Sequence, residues 1–174
     1  MTAVRVREMT PADCDRVGRI RVGGWRAAYR GLVPQSYLDA MDPARDAAGH
    51  RARLARRPGP VLDLVAEQDG DVVGWACHGP YRDGDTHTED AELYALYVDP
   101  GRYGGGIGRA LLAESAGRCA TAGHPRMLLW VLKENTPARR FYERAGFRPD
   151  GAQEPFEADG VAVPEVRYVR RLTA

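Results

Sequence analysis

Leu96-Tyr97-Val98-Asp99-Pro100-Gly101-Arg102-Tyr103-Gly104-Gly105-Gly106-Ile107-Gly108-Arg109-Ala110-Leu111-Leu112 reads as a strand, a glycine turn and the start of a helix. Asp99-Pro100-Gly101 ends the strand, and Ala110, Leu111 and Leu112 open a helix-forming run that continues to Gly123. Successive glycines let the backbone come close to a ligand and turn several N–H groups into one concavity at the positive end of the helix dipole. Such a turn suits an anion, above all a phosphate, although glycines also make ordinary strand-to-helix connections. Two commoner phosphate loops do not fit. A P-loop needs Lys then Ser or Thr after its last glycine, where this chain has Ile107-Gly108 after Gly106. A dinucleotide fingerprint starting at Gly104 needs a small residue where Arg109 stands, and follows the first strand of its fold rather than a late one.

Working outward, Val4 to Arg7 alternates as a half-buried strand. Thr10-Pro11-Ala12-Asp13 then starts a helix that runs toward Tyr29, with Thr10 as its cap, and breaks at Gly31. Leu32 to Arg57 predicts further short helices. Val61 to Ala66 and Val72 to Ala76 form a hairpin across Asp69-Gly70-Asp71. A polar loop from Arg82 to Asp90 precedes the strand Ala91 to Val98. Beyond the glycine turn and its helix, Met127 to Leu132 is a buried strand, Thr136 to Ala145 a helix stopped by Gly146, and Phe147-Arg148 and Val163 to Val169 the last strands. With no linker, repeat or low-complexity segment, residues 1–174 are expected to form a single α/β domain, as the length of 174 residues suits.

Lys+Arg 25 against Asp+Glu 24 leaves a formal charge of +1, so no global field draws this chain to nucleic acid or to an anionic membrane. No stretch approaches the ~20 apolar residues of a membrane span, and no basic-then-apolar leader opens the chain. Cys14, Cys77 and Cys119 are three, far apart and without a C-x-x-C pair, which suits a reducing cytosol. A cytoplasmic location is the expectation. His50, His78, His87 and His124 lack metal-ligand spacing, so no metal is expected, and His87 with Glu89 and Asp90 reads as solvated loop.

The segment Leu96 to Pro100 through Gly106 to Leu112 resembles the acetyl-CoA signature of the GNAT acetyltransferases, and Asn135 to Phe147 resembles that family's second signature at the expected distance downstream. The resemblance implies an α/β fold with a central mixed, mostly antiparallel sheet of about six to seven strands, flanked by helices and splayed between the fourth and fifth strands. It implies acetyl-CoA as cosubstrate, bound by Leu96, Tyr97, Val98, Tyr103, Gly104, Gly105, Gly106, Ile107, Gly108, Arg109, Asn135, Ala138 and Tyr142. Tyr103 departs from the Gln or Arg usual at its place. The family bulges its fourth strand, which would present a backbone N–H of Tyr97 or Val98 to the developing oxyanion.

Acyl transfer to an amine needs the amine neutral and a proton for the departing thiolate. Glu92 matches the catalytic glutamate of some family members; read without the resemblance it is a surface carboxylate on a strand. Other members carry a glutamate on the next strand, where this chain has Trp130. Tyr142 matches the tyrosine that protonates the thiolate, with packing on the sheet as its other reading. Asn135 combines the place of a CoA-arm ligand with that of a helix cap. Trp25, Tyr29 and Tyr81 are candidates for shaping the acceptor cleft. Cys119 among apolar neighbours reads as core, which favours direct transfer over an acyl-cysteine route.

The leading expectation is therefore an acetyl-CoA-dependent N-acetyltransferase acting on a primary amine of a small molecule. A protein N-terminal or lysine acetyltransferase and a non-catalytic CoA-binding sensor are the competing readings. The partners expected are a small amine acceptor and, through edge pairing of the 163–169 strand, a second copy in a homodimer.

Overall fold

The computed structural model describes residues 3–56, 59–84 and 86–173, and within them every side chain except that of His87. Arg57, at the end of the expected helical stretch, and the His87 side chain thus lie outside the described residues.

Seven strands form one sheet in the order β1-β2-β3-β4-β5-β7-β6. These are β1 (Arg5–Glu8), β2 (Leu62–Gln68), β3 (Asp71–Asp83), β4 (Thr86–Val98), β5 (Arg126–Leu132), β6 (Arg148–Ala158) and β7 (Val161–Arg171). Every neighbouring pair is antiparallel except β4 and β5, which run parallel and meet only at Ala91↔Met127 and Glu92↔Leu128. The mixed sheet splayed between its fourth and fifth strands is thus as expected.

The helices are α1 (Cys14–Ala28), α2 (Gln35–Ala40), α3 (Pro43–Ala55), α4 (Ile107–Thr121) and α5 (Thr136–Arg144). One face of the sheet buries Leu64, Ala76, Leu93, Met127 and Phe147 with Leu111 and Leu112 of α4, and α5 packs Phe141 and Tyr142 against the same core. The other face buries Val65, Trp75 and Cys77 under Val17 of α1 and Ala47 of α3. Gly18 makes that second layer close: a Cβ there would sit 2.5 Å from the Pro43 carbonyl oxygen. Trp25, Leu38, Leu132 and Val163 complete a third cluster where α1 and α2 reach across to β5 and β7.

Four expectations need correction. The Arg82–Asp90 stretch is not a loop: β3 and β4 continue through it as a hairpin, pairing Asp83 with Thr86. Its tip projects beyond the core, so its strands carry no apolar alternation to announce them. β7 lies between β5 and β6, so the 163–169 strand is not an edge; β1 and β6 are the edges a second copy would have to pair with. The helical start is a separate 3-10 turn, Pro11–Asp13, ahead of α1; Thr10 caps it as expected, in a capping box with Asp13, whose carboxylate accepts from the Thr10 N–H and hydroxyl at 2.8 and 3.0 Å. The last hairpin is also longer than expected, since β6 is an edge strand with a register shift between Pro149 and Gln153 that hides its periodicity.

Candidate active site

Asp99 fixes the glycine turn to the body of the protein. Its N–H donates to the Val73 carbonyl at 2.9 Å, one carboxylate oxygen accepts from the Gly101 N–H at 3.1 Å, and the other pairs with Arg16 of α1. A short 3-10 turn, Pro100–Arg102, leads into Gly104 and Gly106, whose φ angles of +84° and +77° belong to the left-handed region where glycine is at no disadvantage. Gly106 caps α4, and the N–H groups of Gly106, Ile107, Gly108 and Arg109 have no acceptor among the described residues. The first turn of α4 is held from both sides. A Cβ on Gly74 of β3 would lie 2.9 Å from Ile107 and Leu111, and one on Gly108 would lie 3.4 Å from Phe141 of α5. Four donors at a dipole-positive helix end, on a backbone without intervening side chains, form a cradle whose chemistry suits an anion such as a diphosphate. Tyr103 is 58% exposed at its rim, consistent with a minor role for that side chain.

The cradle stands at the head of the splay. From Leu93 to Val98, β4 keeps its partners on β3 but has none on β5, so one edge of Leu96, Tyr97 and Val98 is open to an extended ligand arm. The bulge that contributes to this departure is at Tyr94, the extra residue between Leu93↔His78 and Ala95↔Cys77, rather than at Tyr97 or Val98. Asn135 caps α5, accepting from the Ala138 N–H at 3.4 Å, so the cap role is realised and its amide nitrogen has no partner among the described residues. Tyr142, one turn beyond Ala138, has its ring against Phe141 and Phe147 at 5.1 and 5.9 Å, and its hydroxyl makes no hydrogen bond with a described residue. Burial pushes its phenol pKa well up, and the nearby Tyr97 adds to this, so the hydroxyl stays protonated throughout the neutral range.

Glu92 is not a surface carboxylate. It is 5% exposed, and its Oε2 accepts from the Arg82 backbone N–H at 3.0 Å while the Arg82 guanidinium lies 3.6 Å from Oε1 and stacks over the Tyr94 ring at 3.8 Å. Burial raises its pKa above the usual carboxylate range against the opposing pull of Arg82. Tyr29 closes the same face from α1, its hydroxyl 3.5 Å from that of Tyr97. Trp25 packs edge-on to Tyr29 at 4.6 Å and against Phe156 at 5.6 Å, with its indole N–H buried and unpartnered. Tyr81 is buried, and its hydroxyl accepts from Arg167 of β7 at 2.7 Å, tying β3 to the far side of the splay. Beside Arg82 and Tyr94, a cavity of about 760 Å³ extends under α2 and α3 to Tyr37, His50 and Asp159. At the rim of this open cavity α2 is fastened by Ser36, whose hydroxyl donates to Asp159 at the β6–β7 turn at 2.6 Å.

The sequence reading missed the residues that hold these groups: Arg16 on Asp99, Arg82 on Glu92, and the carboxylates Glu154 and Glu165 on the same side of the sheet. The available signal for Glu165 was a carboxylate on the same strand face as the buried Val163, with Arg167 two residues along. Burial raises the Cys77 and Cys119 thiols to about 12 and about 11, which makes them poor nucleophiles. No group of three His, Cys, Asp or Glu residues that could hold a metal occurs among the described residues, and no helix there is long and apolar enough to cross a membrane.

Known proteins are similar to this chain. The family model described as the acetyltransferase (GNAT) family matches residues 25–147. The uncharacterized N-acetyltransferase YuaI of Bacillus subtilis is 31% identical over 164 residues, covering 94% of this chain and 90% of that one. The mycothiol acetyltransferase of Acidothermus cellulolyticus is 37% identical over 109 residues, 57% of this chain and 33% of its own. Among solved structures, the acetyltransferase YncA from Salmonella typhimurium with its cofactor acetyl-CoA superposes with a TM-score of 0.74 at 24% identity, covering 99% of this chain and 96% of that one.

Proposed function

Because this chain belongs to the GNAT acetyltransferase family, we propose that it is an acetyl-CoA-dependent N-acetyltransferase that moves the acetyl group directly to a primary amine of a small molecule, such as a metabolite, an amino acid derivative or an antibiotic. The observation that carries this reading is the alignment of four unpartnered N–H groups at Gly106 to Arg109 with the open edge of β4, between Glu92 on one side and Tyr142 on the other.

In this reading the diphosphate of the cosubstrate lies on the cradle, and its arm runs along Leu96 to Val98 as a partial strand toward Tyr142. An open-edge N–H of β4 meets the thioester oxygen as charge develops there. Glu92 draws a proton from the acceptor, directly or through water. A primary amine has a pKa of about 10.4, so a carboxylate with a raised pKa is a better matched base than an ordinary one. Tyr142, protonated by virtue of its burial, supplies a proton to the leaving thiolate. Asn135 offers its free amide nitrogen to the arm.

The placement of α2 along the cavity, fixed by the Ser36–Asp159 bond, favours a small acceptor over a protein chain. Retention of both Glu92 and Tyr142 favours catalysis over sensing, since binding alone needs neither. Three free cysteines, all buried, suit a cytoplasmic enzyme. Thiol release from acetyl-CoA, measured across a panel of small amines and short peptides with Tyr142→Phe as control, tests the proposal. Turnover confined to peptides would transfer it to the protein-modifying reading, and tight CoA binding without turnover on any amine would make the protein a sensor.

A further inference from the structure

β7 carries a carboxylate whose surroundings no structural role explains. Glu165 lies opposite Leu132 of β5 and opposite Glu154 of β6. In a chain whose 25 basic residues supply cations to Asp13, Asp46, Asp63, Asp90 and Asp150, neither the Glu165 nor the Glu154 side chain makes a hydrogen bond or ion pair with a described residue. Arg167, two residues along the same face, is engaged by Asp150 at 2.8 Å and Tyr81 at 2.7 Å. Within electrostatic reach of Glu165 are Glu154, its register partner on β6, Glu92 and Tyr97 of β4 and Tyr29 just past the end of α1, while β5 presents the apolar Leu132. Three carboxylates thus share the mouth of the splay without a free cation among them.

A second feature of that mouth also lacks a partner. Trp25 is 9% exposed, and its indole N–H, turned toward the Tyr97 hydroxyl, makes no hydrogen bond of normal geometry with a described residue. Its ring rests on Phe156, two residues from Glu154 on β6, and belongs to one cluster with Leu132 and Val163, which flank Glu165. A buried donor without an acceptor costs about 1–3 kcal/mol, and unmatched carboxylates at the same place repel each other. One ligand relieves both: a cationic amine whose substituent offers an acceptor to the indole.

Resting on the acetyl-transfer reading above, we propose that Glu165 is a second carboxylate of the acceptor site, which receives the acceptor as an ammonium between itself and Glu92 and takes its proton. The nitrogen, freed of one proton to Glu165, attacks the thioester carbonyl carbon. The carbon–sulfur bond breaks with its electron pair going to sulfur. The second nitrogen proton passes to Glu92, directly or through water, and from there through solvent restores Tyr142, which has given its own proton to the thiolate; Glu165 releases its proton to solvent before the next turnover. Burial and the neighbouring Glu154 and Glu92 raise the Glu165 carboxyl to about 7, which narrows its mismatch with an amine of pKa about 10.4 from roughly six units to roughly three. Glu165, held by nothing, takes the first proton from the ammonium; Glu92, already held by Arg82, orients the amine and draws the second proton as the carbon–nitrogen bond forms.

Carbon-13 NMR titration of the glutamate carboxyls in the CoA-bound protein tests this without requiring turnover. One carboxyl should titrate near pH 7, vanish in Glu165→Gln, and shift down by about one unit or more in methylammonium chloride but not in sodium chloride of equal ionic strength. Absence of such a carboxyl, its survival in the variant, or indifference to methylammonium would overturn the proposal. With the first amine found to be acetylated, Glu165→Gln should lower kcat by about 10²-fold and remove the acid limb of kcat/KM near pH 7 while CoA affinity is kept; an unchanged limb would also overturn it. Failure of the acetyl-transfer reading would show separately, in the parent protein, as no thiol release with any amine.

Discussion

Replacing Gly106 with valine should cripple cosubstrate binding while sparing the fold. At φ +77° a β-branched residue is strained, by about 1–2 kcal/mol from the left-handed conformation alone. The nearest group to its Cβ is the Arg109 guanidinium, 3.5 Å away, so nothing in the packed core is displaced and the strain is released by shifting the loop. Binding must then restore the strained geometry and, with a branched side chain standing in the cradle, also forgo one N–H bond to the charged diphosphate, worth about 1.5–3 kcal/mol. The combined loss of about 3–5 kcal/mol corresponds to a dissociation constant for CoA raised about 10²- to 10³-fold or more. Calorimetric titration of CoA into the parent, Gly106→Val and Tyr103→Ala measures it, with thermal melts of all three as the check on folding. Tyr103→Ala, at an exposed rim position, should stay within about threefold of the parent. Equal affinity in Gly106→Val and the parent, both folded, would refute the placement of the diphosphate on this turn.

Tyr142→Phe should lower kcat by about 10²-fold with little change in CoA affinity, and because burial raises the phenol pKa, no alkaline limb attributable to this group should appear below about pH 10; unchanged turnover would assign the acid role to another group or to solvent. His78 is buried with an unpartnered Nδ1 and its pKa is lowered by burial from 6.5 to about 4, so the unfolded chain takes a proton that the folded one refuses. Stability is then intact above pH 6.5 and falls as pH drops toward 4, by about 2 kcal/mol between pH 7.5 and pH 5. Urea unfolding at those two pH values should show this loss in the parent and less of it in His78→Leu; equal losses in both would remove His78 as the cause.

What could be read without coordinates followed physical lines. Val61 to Ala66, Met127 to Leu132 and the helix after Gly106 bury continuous or periodic apolar faces, so pattern and structure agree. Where a strand leaves the core the pattern fails: Thr86 to Glu89 pair with β3 beyond its covered part, and Arg148 to Glu157 lie on an edge strand exposed over most of its length. In the site, the glycine turn and Tyr142 were legible because their local sequences carry them. Arg82 and Glu165 were not, because their relation to Glu92 depends on a hairpin extension and on β7 inserting between β5 and β6, and neither pairing is encoded in a local spacing. The bulge at Tyr94 is likewise a matter of register, invisible to a pattern of period two.

The account rests on the amides at the start of α4 holding a diphosphate. Proton–nitrogen correlation spectra recorded while CoA is added, with desulfo-CoA as a thiol-free control, address them one by one. The account predicts that the Gly106, Ile107, Gly108 and Arg109 amides shift downfield together with both ligands, and that Leu96 to Val98 follow. Saturable binding that leaves those four amides unmoved, with the shifts gathered elsewhere on the protein, would contradict it.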